Sequence, residues 1–133
     1  SIVYNSKKSG ILELGGGVPK NSAQQTGPLL DQILHRNTGG QDYIIQITDA
    51  RPDTGGLSGA TLEEGKSWGK IHDSHNDVIT VYADTTIAFP IIALYVLSNQ
   101  KSRKPKRLYK KLNKYYENLK NEFMKTPEKF YGK

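Results

Sequence analysis

Ile11-Leu12-Glu13-Leu14-Gly15-Gly16-Gly17-Val18-Pro19-Lys20 is a short, mostly apolar strand that runs straight into three glycines. In α/β proteins a strand that ends in glycines lets backbone come close to a phosphate or ribose, because a Cβ would hold the ligand away. The GxGxxG spacing is missing and no helix start is evident directly after it, so a tight strand-to-loop turn explains the same residues. Two further strand signals lie downstream. Tyr43-Ile44-Ile45-Gln46-Ile47-Thr48 and Val78-Ile79-Thr80-Val81-Tyr82-Ala83 are rich in β-branched and aromatic residues, and each leaves into a polar loop. Between the first two, residues 22–36 carry Leu29, Leu30, Ile33 and Leu34 at helical spacing, with Thr26-Gly27-Pro28 starting or interrupting the helix. Strands alternating with helices predict an α/β chain with parallel strands and flanking helices.

Ligands of such sheets bind beyond the C-terminal strand ends, which places Thr48, Asp49, Ala50, Asp84 and Thr85 at the expected edge. A plain connecting loop accounts equally well for residues 48–50. Asp84 has two candidate tasks, accepting a ribose hydroxyl or capping the helix expected from about Ile87 to Leu97. That helix is apolar nearly all round, with Pro90 in its first turn, and is expected to be buried against the sheet. Upstream, residues 2–9 read as a polar segment in which Lys7-Lys8-Ser9-Gly10 closes a helix. His35 ends the helix over 22–36 and reads as a dipole-stabilised surface residue.

The chemistry concentrates in residues 55–70. A glycine loop, Gly55-Gly56-Leu57-Ser58-Gly59, leads into a polar segment with Glu63 and Glu64, then the only tryptophan, Trp68, then Gly69-Lys70 before the apolar Ile71. Lysine attacks carbonyls as a neutral amine and is the natural nucleophile for imine chemistry. Trp68 would supply an apolar wall and a π face, and Glu64 a counter-charge for a cationic ligand. A surface lysine following a half-buried tryptophan is the plainer account. His72-Asp73-Ser74-His75-Asn76-Asp77 offers metal-type side chains without a third ligand at defined spacing, and it reads as a polar connection; no metal site is expected.

Charge is distributed unevenly. Residues 1–100 carry 7 basic and 10 acidic side chains, whereas residues 101–133 carry 12 and 3, so the net +6 belongs to the tail. Residues 101–106 read as a linker. Leu108, Leu112, Tyr115 or Tyr116, Leu119 and Phe123 then recur at about four-residue spacing, as in an amphipathic helix with lysines on its other face. Such a helix packs one stripe on its own protein or on an oligomer partner; interleaved lysine and tyrosine also suit nucleic acid, with affinity that falls steeply with salt. There is no cysteine, hence no disulfide framework or thiolate metal site. Ile87 to Leu97 is about half a membrane span. A single domain of cytoplasmic type is the default, divided at residue 100 into an α/β part (1–100) and a basic helical tail (101–133).

Four stretches taken together carry a resemblance. Residues 14–20, 42–48, 55–70 and 81–90 agree in order and spacing with deoxyhypusine synthases, enzymes that use NAD to cut spermidine and pass its aminobutyl group to a lysine of a translation factor. The resemblance covers roughly the first hundred residues and implies that this part is catalytic. It implies the C-terminal part of a Rossmann-like fold, with the remainder of the site supplied by an N-terminal part or a homologous subunit, in a tetramer-type assembly. It implies Lys70 as the imine-forming lysine. The substrate positions it implies are Glu64, Trp68, Asn21, Gly55, Gly56 and Leu57. The NAD positions are Gly16, Asp49, Ala50, Asp84 and Thr85, the last two after a one-residue insertion within 72–77. Asn21 stands where hypusine-forming enzymes have a histidine, and Leu57 where they commonly have an aspartate. Losing a carboxylate from a diamine site removes about 1.5–3 kcal/mol, enough to change the preferred amine. A free diamine acceptor, as in homospermidine-forming relatives, or a noncatalytic partner subunit of a complete homologue, are the alternatives.

Overall fold

The computed structural model describes residues 1–36, 38–72, 77–102 and 104–125. Three strands, β1 (Gly10–Leu14), β2 (Tyr43–Thr48) and β3 (Val78–Tyr82), form one sheet in the order β1-β2-β3. Both pairings are parallel, with Leu12 beside Ile45 and Ile45 beside Ile79. This is the expected α/β arrangement, and each crossover carries helix: α1 (Val18–Gln24) and α2 (Thr26–Pro28) after β1, α3 (Leu62–Ser67) after β2.

Side-chain alternation divides the sheet into two faces. Ile44 points to the α3 side and packs with Leu62 and Ile71, with Val78 against them, to form the core. On the opposite face Ile47 is fully buried, whereas its neighbours Leu12, Ile45 and Ile79 remain substantially exposed. A short ladder extends the sheet below β2. Gln41 bridges Ile71: its N–H donates to Lys70 O at 3.0 Å, and its carbonyl accepts His72 N–H at 3.0 Å.

Helix boundaries differ from the sequence expectation in instructive ways. No helix forms over residues 2–9; they make turns, and Gly10 opens β1 instead of closing a helix. The first helix begins at Val18 directly after Gly17, earlier than residue 22, because Gly17 adopts φ +83° and Pro19 falls at the second helical position, where its missing N–H costs nothing. Thr26-Gly27-Pro28 continues the helical path into a π-helical turn over Leu29–Ile33. His35 follows in the left-handed region, exposed.

The helix α4 (Thr85–Asn99) departs most. It starts two residues earlier than expected, so Pro90 lies inside it, and none of its residues is buried. Ile91, Leu94 and Tyr95 are 66–70% exposed. The helix is apolar all round, but the described part of the chain provides a surface for only one side of it. Asp84 caps it, Oδ1 accepting Thr86 N–H at 2.7 Å and the Thr86 hydroxyl, which holds the Asp84 carboxyl below its usual range. Asp84→Ala is expected to destabilise the start of this helix, read as a lower urea midpoint.

The tail forms α5 (Leu112–Lys125) after a 3₁₀ turn at Leu108–Lys111. It lies against the chain's own start: Asn5 Nδ2 donates to Tyr115 O (3.2 Å) and Asn118 Nδ2 to Asn5 Oδ1 (3.1 Å), while Arg36 donates to Glu122 O (2.9 Å). Tyr115, Leu119 and Phe123 form the half-buried stripe. Most of the segment expected to be a polar connection, residues 73–76, lies outside the described residues, as does residue 103 of the expected linker.

Candidate active site

Lys70 is positioned by its backbone. Gly65 O accepts Lys70 N–H at 2.9 Å at the end of α3, Lys70 O receives Gln41 N–H, and two glycines admit this stretch closely. A Cβ on Gly27 would lie 2.8 Å from Gly69 O, and one on Gly40, which has φ +85°, 2.7 Å from Ile71 N. The helix α3 that delivers the segment is capped by Thr61, whose hydroxyl accepts Glu64 N–H at 3.3 Å.

The Lys70 side chain enters a cleft of about 150 Å³ formed by α1, the 57–61 loop and α3. Its Nζ donates to Asn21 Oδ1 at 3.0 Å. Glu64, Trp68 and Leu57 line the same cleft. Five of the seven residues that the resemblance implies for catalysis and substrate thus meet around one space, from α1, a loop and α3. Gly55 and Gly56 do not line it; both are exposed loop positions with positive φ.

Behind these residues lies a buried polar layer that the sequence reading did not single out. Lys20, 7% exposed, donates from Nζ to Ala60 O (2.7 Å) and Gln46 Oε1 (3.3 Å). Gln46 Nε2 in turn donates to Gly15 O and Ser58 O, each at 3.3 Å, fastening the glycine loop after β1 to the 58–60 loop. Burial pushes the Lys20 ammonium below the ordinary lysine range; Glu13 and Glu64 oppose that, and the Lys70 charge adds to it. Glu13, 5% exposed, accepts Gln24 Nε2 at 2.7 Å. Burial pushes its carboxyl up, against the Gln24 hydrogen bond and the charges of Lys20 and Lys70. The available signals were a charged residue inside an apolar strand and a lysine one position before Asn21.

The raised Glu13 value has a consequence for stability. The folded chain holds that proton more tightly than the unfolded one, so the contribution is present below the unfolded carboxyl value and is lost as pH rises through the folded value. Glu13→Gln should therefore gain on wild type as pH rises from below the unfolded carboxyl value through the raised folded one, as read from urea midpoints.

The residues implied for the cofactor occupy the C-terminal edge of the sheet: Gly16 after β1, Asp49 and Ala50 after β2, Asp84 and Thr85 after β3. Asp49 and Asp84 are exposed carboxylates suited to ribose hydroxyls, and Ala50 N–H is held by Thr48 Oγ1 at 3.1 Å. Gly16 serves packing as well, since a Cβ there would lie 2.6 Å from Ser58 Cα. The donor set fits one half of a nucleotide cradle. A cavity of about 510 Å³, lined by His35, Arg36, Asp42 and His72 among others, lies at the other end of the strands and includes none of these residues.

The deoxyhypusine synthase family model matches residues 1–96. The chain belongs to the deoxyhypusine synthase family. A deoxyhypusine synthase-like protein of a Nostoc species is 43% identical over 97% of this chain and 35% of its own length. A probable deoxyhypusine synthase 2 of Methanosarcina acetivorans is 49% identical over 69% of this chain and 26% of its own, and one of Archaeoglobus fulgidus 44% identical over 78% and 34%. The chain spans about a third of the length of the curated relatives it matches first. The match of the deoxyhypusine synthase family to residues 1–96 takes in the whole cleft and ends within α4. Among the described residues no helix is long and apolar enough to cross a membrane.

Proposed function

We propose that Lys70 is the nucleophile that carries a four-carbon imine in the NAD-dependent transfer of the aminobutyl group of spermidine to an acceptor amine. The observation that carries this is the Lys70 amine seated 3.0 Å from Asn21 Oδ1 in a cleft walled by Trp68 and edged by Glu64. Glu64 pairs with a polyamine ammonium, and the Trp68 ring covers the methylenes while offering its π face to the charge. The Lys70 nitrogen, once neutral, displaces diaminopropane from the oxidised carbon and holds the remaining fragment. Covalent holding matters because a free amino-imine cyclises or hydrolyses. Asn21 orients the amine by accepting one of its N–H groups. Bound dinucleotide supplies hydride acceptance and return, so the transfer is redox-neutral; Asp49 and Asp84 would hold its ribose hydroxyls, with Gly16 and Ala50 presenting backbone and Thr85 adjoining.

Within this reading the rest of the fold comes from another polypeptide or another part of the protein, in an oligomer of tetramer type and a cytoplasmic setting. The exposed apolar positions Leu12, Ile45 and Ile79 on one sheet face, and Ile87, Ile91 and Leu94 on α4, support such a partner. A second reading, transfer to a free diamine and not to a protein lysine, is favoured by Leu57 and Asn21 both lining the cleft. Leu57→Asp adds a carboxylate there and should raise the preference for the more highly charged amine by about tenfold or more, read as a ratio of kcat/KM values.

The test is the intact mass of the protein, isolated with whatever copurifies, after spermidine, NAD and borohydride. A four-carbon amine adduct mapping to Lys70 is expected. No adduct with the dinucleotide bound and the fold complete would overturn the proposal in favour of a noncatalytic subunit.

A further inference from the structure

The imine reading uses the mouth of the cleft and leaves its floor unexplained. Glu13 interrupts the apolar strand β1, and its Oε2 is buried without a hydrogen-bond partner among the described residues. Its Oε1 accepts Gln24 Nε2, and Gln24, 3% exposed, lines the cleft that Lys70 enters. An ionised carboxylate only accepts, so it fixes the Gln24 amide nitrogen-first and leaves the carbonyl oxygen as the group Gln24 can offer to the cleft.

Charge points the same way. Around the cleft stand Lys20 and Lys70 against Glu13 and Glu64. Lys70 must be neutral to attack, which leaves one cation facing two carboxylates. Lys20 offsets only part of this, because its ammonium is hydrogen-bonded to Ala60 O and Gln46 Oε1 and acts on the Glu13 carboxylate by charge, without a hydrogen bond to it. A buried negative charge in that state favours a ligand that brings a positive one.

We infer that Gln24 is an amine-binding residue in the floor of the cleft and that Glu13 is its positioning residue: Gln24 Oε1 accepts an N–H of a substrate ammonium group, with the Glu13 charge behind it selecting for a cation. The substrate class rests on the imine reading of Lys70.

Trp68 lines the same cleft and is the only tryptophan, so its fluorescence reports occupancy. The full chain, with any copurifying partner, is titrated with spermidine, and Lys70 is trapped with borohydride in parallel. Gln24→Leu and Glu13→Gln are each expected to weaken spermidine about tenfold or more, and Glu13→Asp to recover part of the loss. Should leucine prevent folding, Gln24→Asn, one methylene short, reads the same loss. Spermidine affinity within twofold of wild type in these variants, with the Lys70 adduct still forming, overturns the inference and leaves the imine reading intact. Neither spermidine binding nor an adduct in the wild-type protein overturns both.

Discussion

With Lys70 as the proposed imine-forming nucleophile, Lys70→Arg is expected to leave no four-carbon adduct and to lower aminobutyl transfer by at least about 10⁴-fold, the scale of losing a covalent nucleophile. Arginine keeps the charge and much of the length, but its guanidinium stays protonated and does not form the imine. The measurement is borohydride trapping with peptide mapping, beside dinucleotide binding, which should not change. An adduct that moved to Lys20 would sink the assignment. The geometry argues against that outcome, since Lys20 is almost fully buried and its Nζ is held by Ala60 O and Gln46 Oε1. Asn21→Ala offers a graded comparison: one hydrogen bond to the amine is lost, about 1 kcal/mol, so transfer falls by less than about tenfold.

Gly40→Ala is expected to cost about 2–4 kcal/mol and to remove most of the adduct with it. Two effects add. The residue sits at φ +85°, where an L side chain is strained by about 1–2 kcal/mol, and the new Cβ meets backbone, 2.7 Å from Lys70 C and Ile71 N and 2.8 Å from Lys70 O. Backbone held by the Gln41 ladder cannot step aside as a side-chain tip can, so the shift passes to Lys70. Gly55→Ala isolates the first effect, because Gly55 has φ +74° with nothing within 4 Å of its would-be Cβ. Urea denaturation of the two variants should therefore separate strain from collision. Equal costs would show that the close approach at Gly40 does not hold Lys70 in place.

The strands were legible because β-branched runs ending in glycine or Asp loops have few other conformations available, and all three sit within a residue or two of where the pattern puts them. The start of α1 was legible in principle: Gly17-Val18-Pro19 is a helix entry that the expected loop after the glycines obscured. The exposure of α4 was not legible. Apolarity along a segment says that it prefers cover and says nothing about which part of a molecule provides it. In the cleft, Glu64 and Trp68 beside Lys70 were suggested by the residues themselves, whereas Asn21 and Leu57 were foreseen only through the resemblance. The layer beneath escaped because its contacts join residues far apart in the chain, Lys20 with Gln46 and Ala60. A buried glutamate also looks, in sequence alone, like an exposed position on an edge strand.

The sheet order has a bearing on regulation. Among the described residues β2 is central and β1 and β3 are the outer strands, each with one row of backbone N–H and C=O groups turned away from β2. Any polypeptide that extended the sheet would do so by adding strands along those rows, and the loops at Gly16 and Asp84 hang from the same two strands. Joining the sheet and shaping the edge proposed for the dinucleotide would then be one event. Under the proposed function, association with that polypeptide and dinucleotide affinity would rise and fall together, so dilution would lower activity as an inhibitor does.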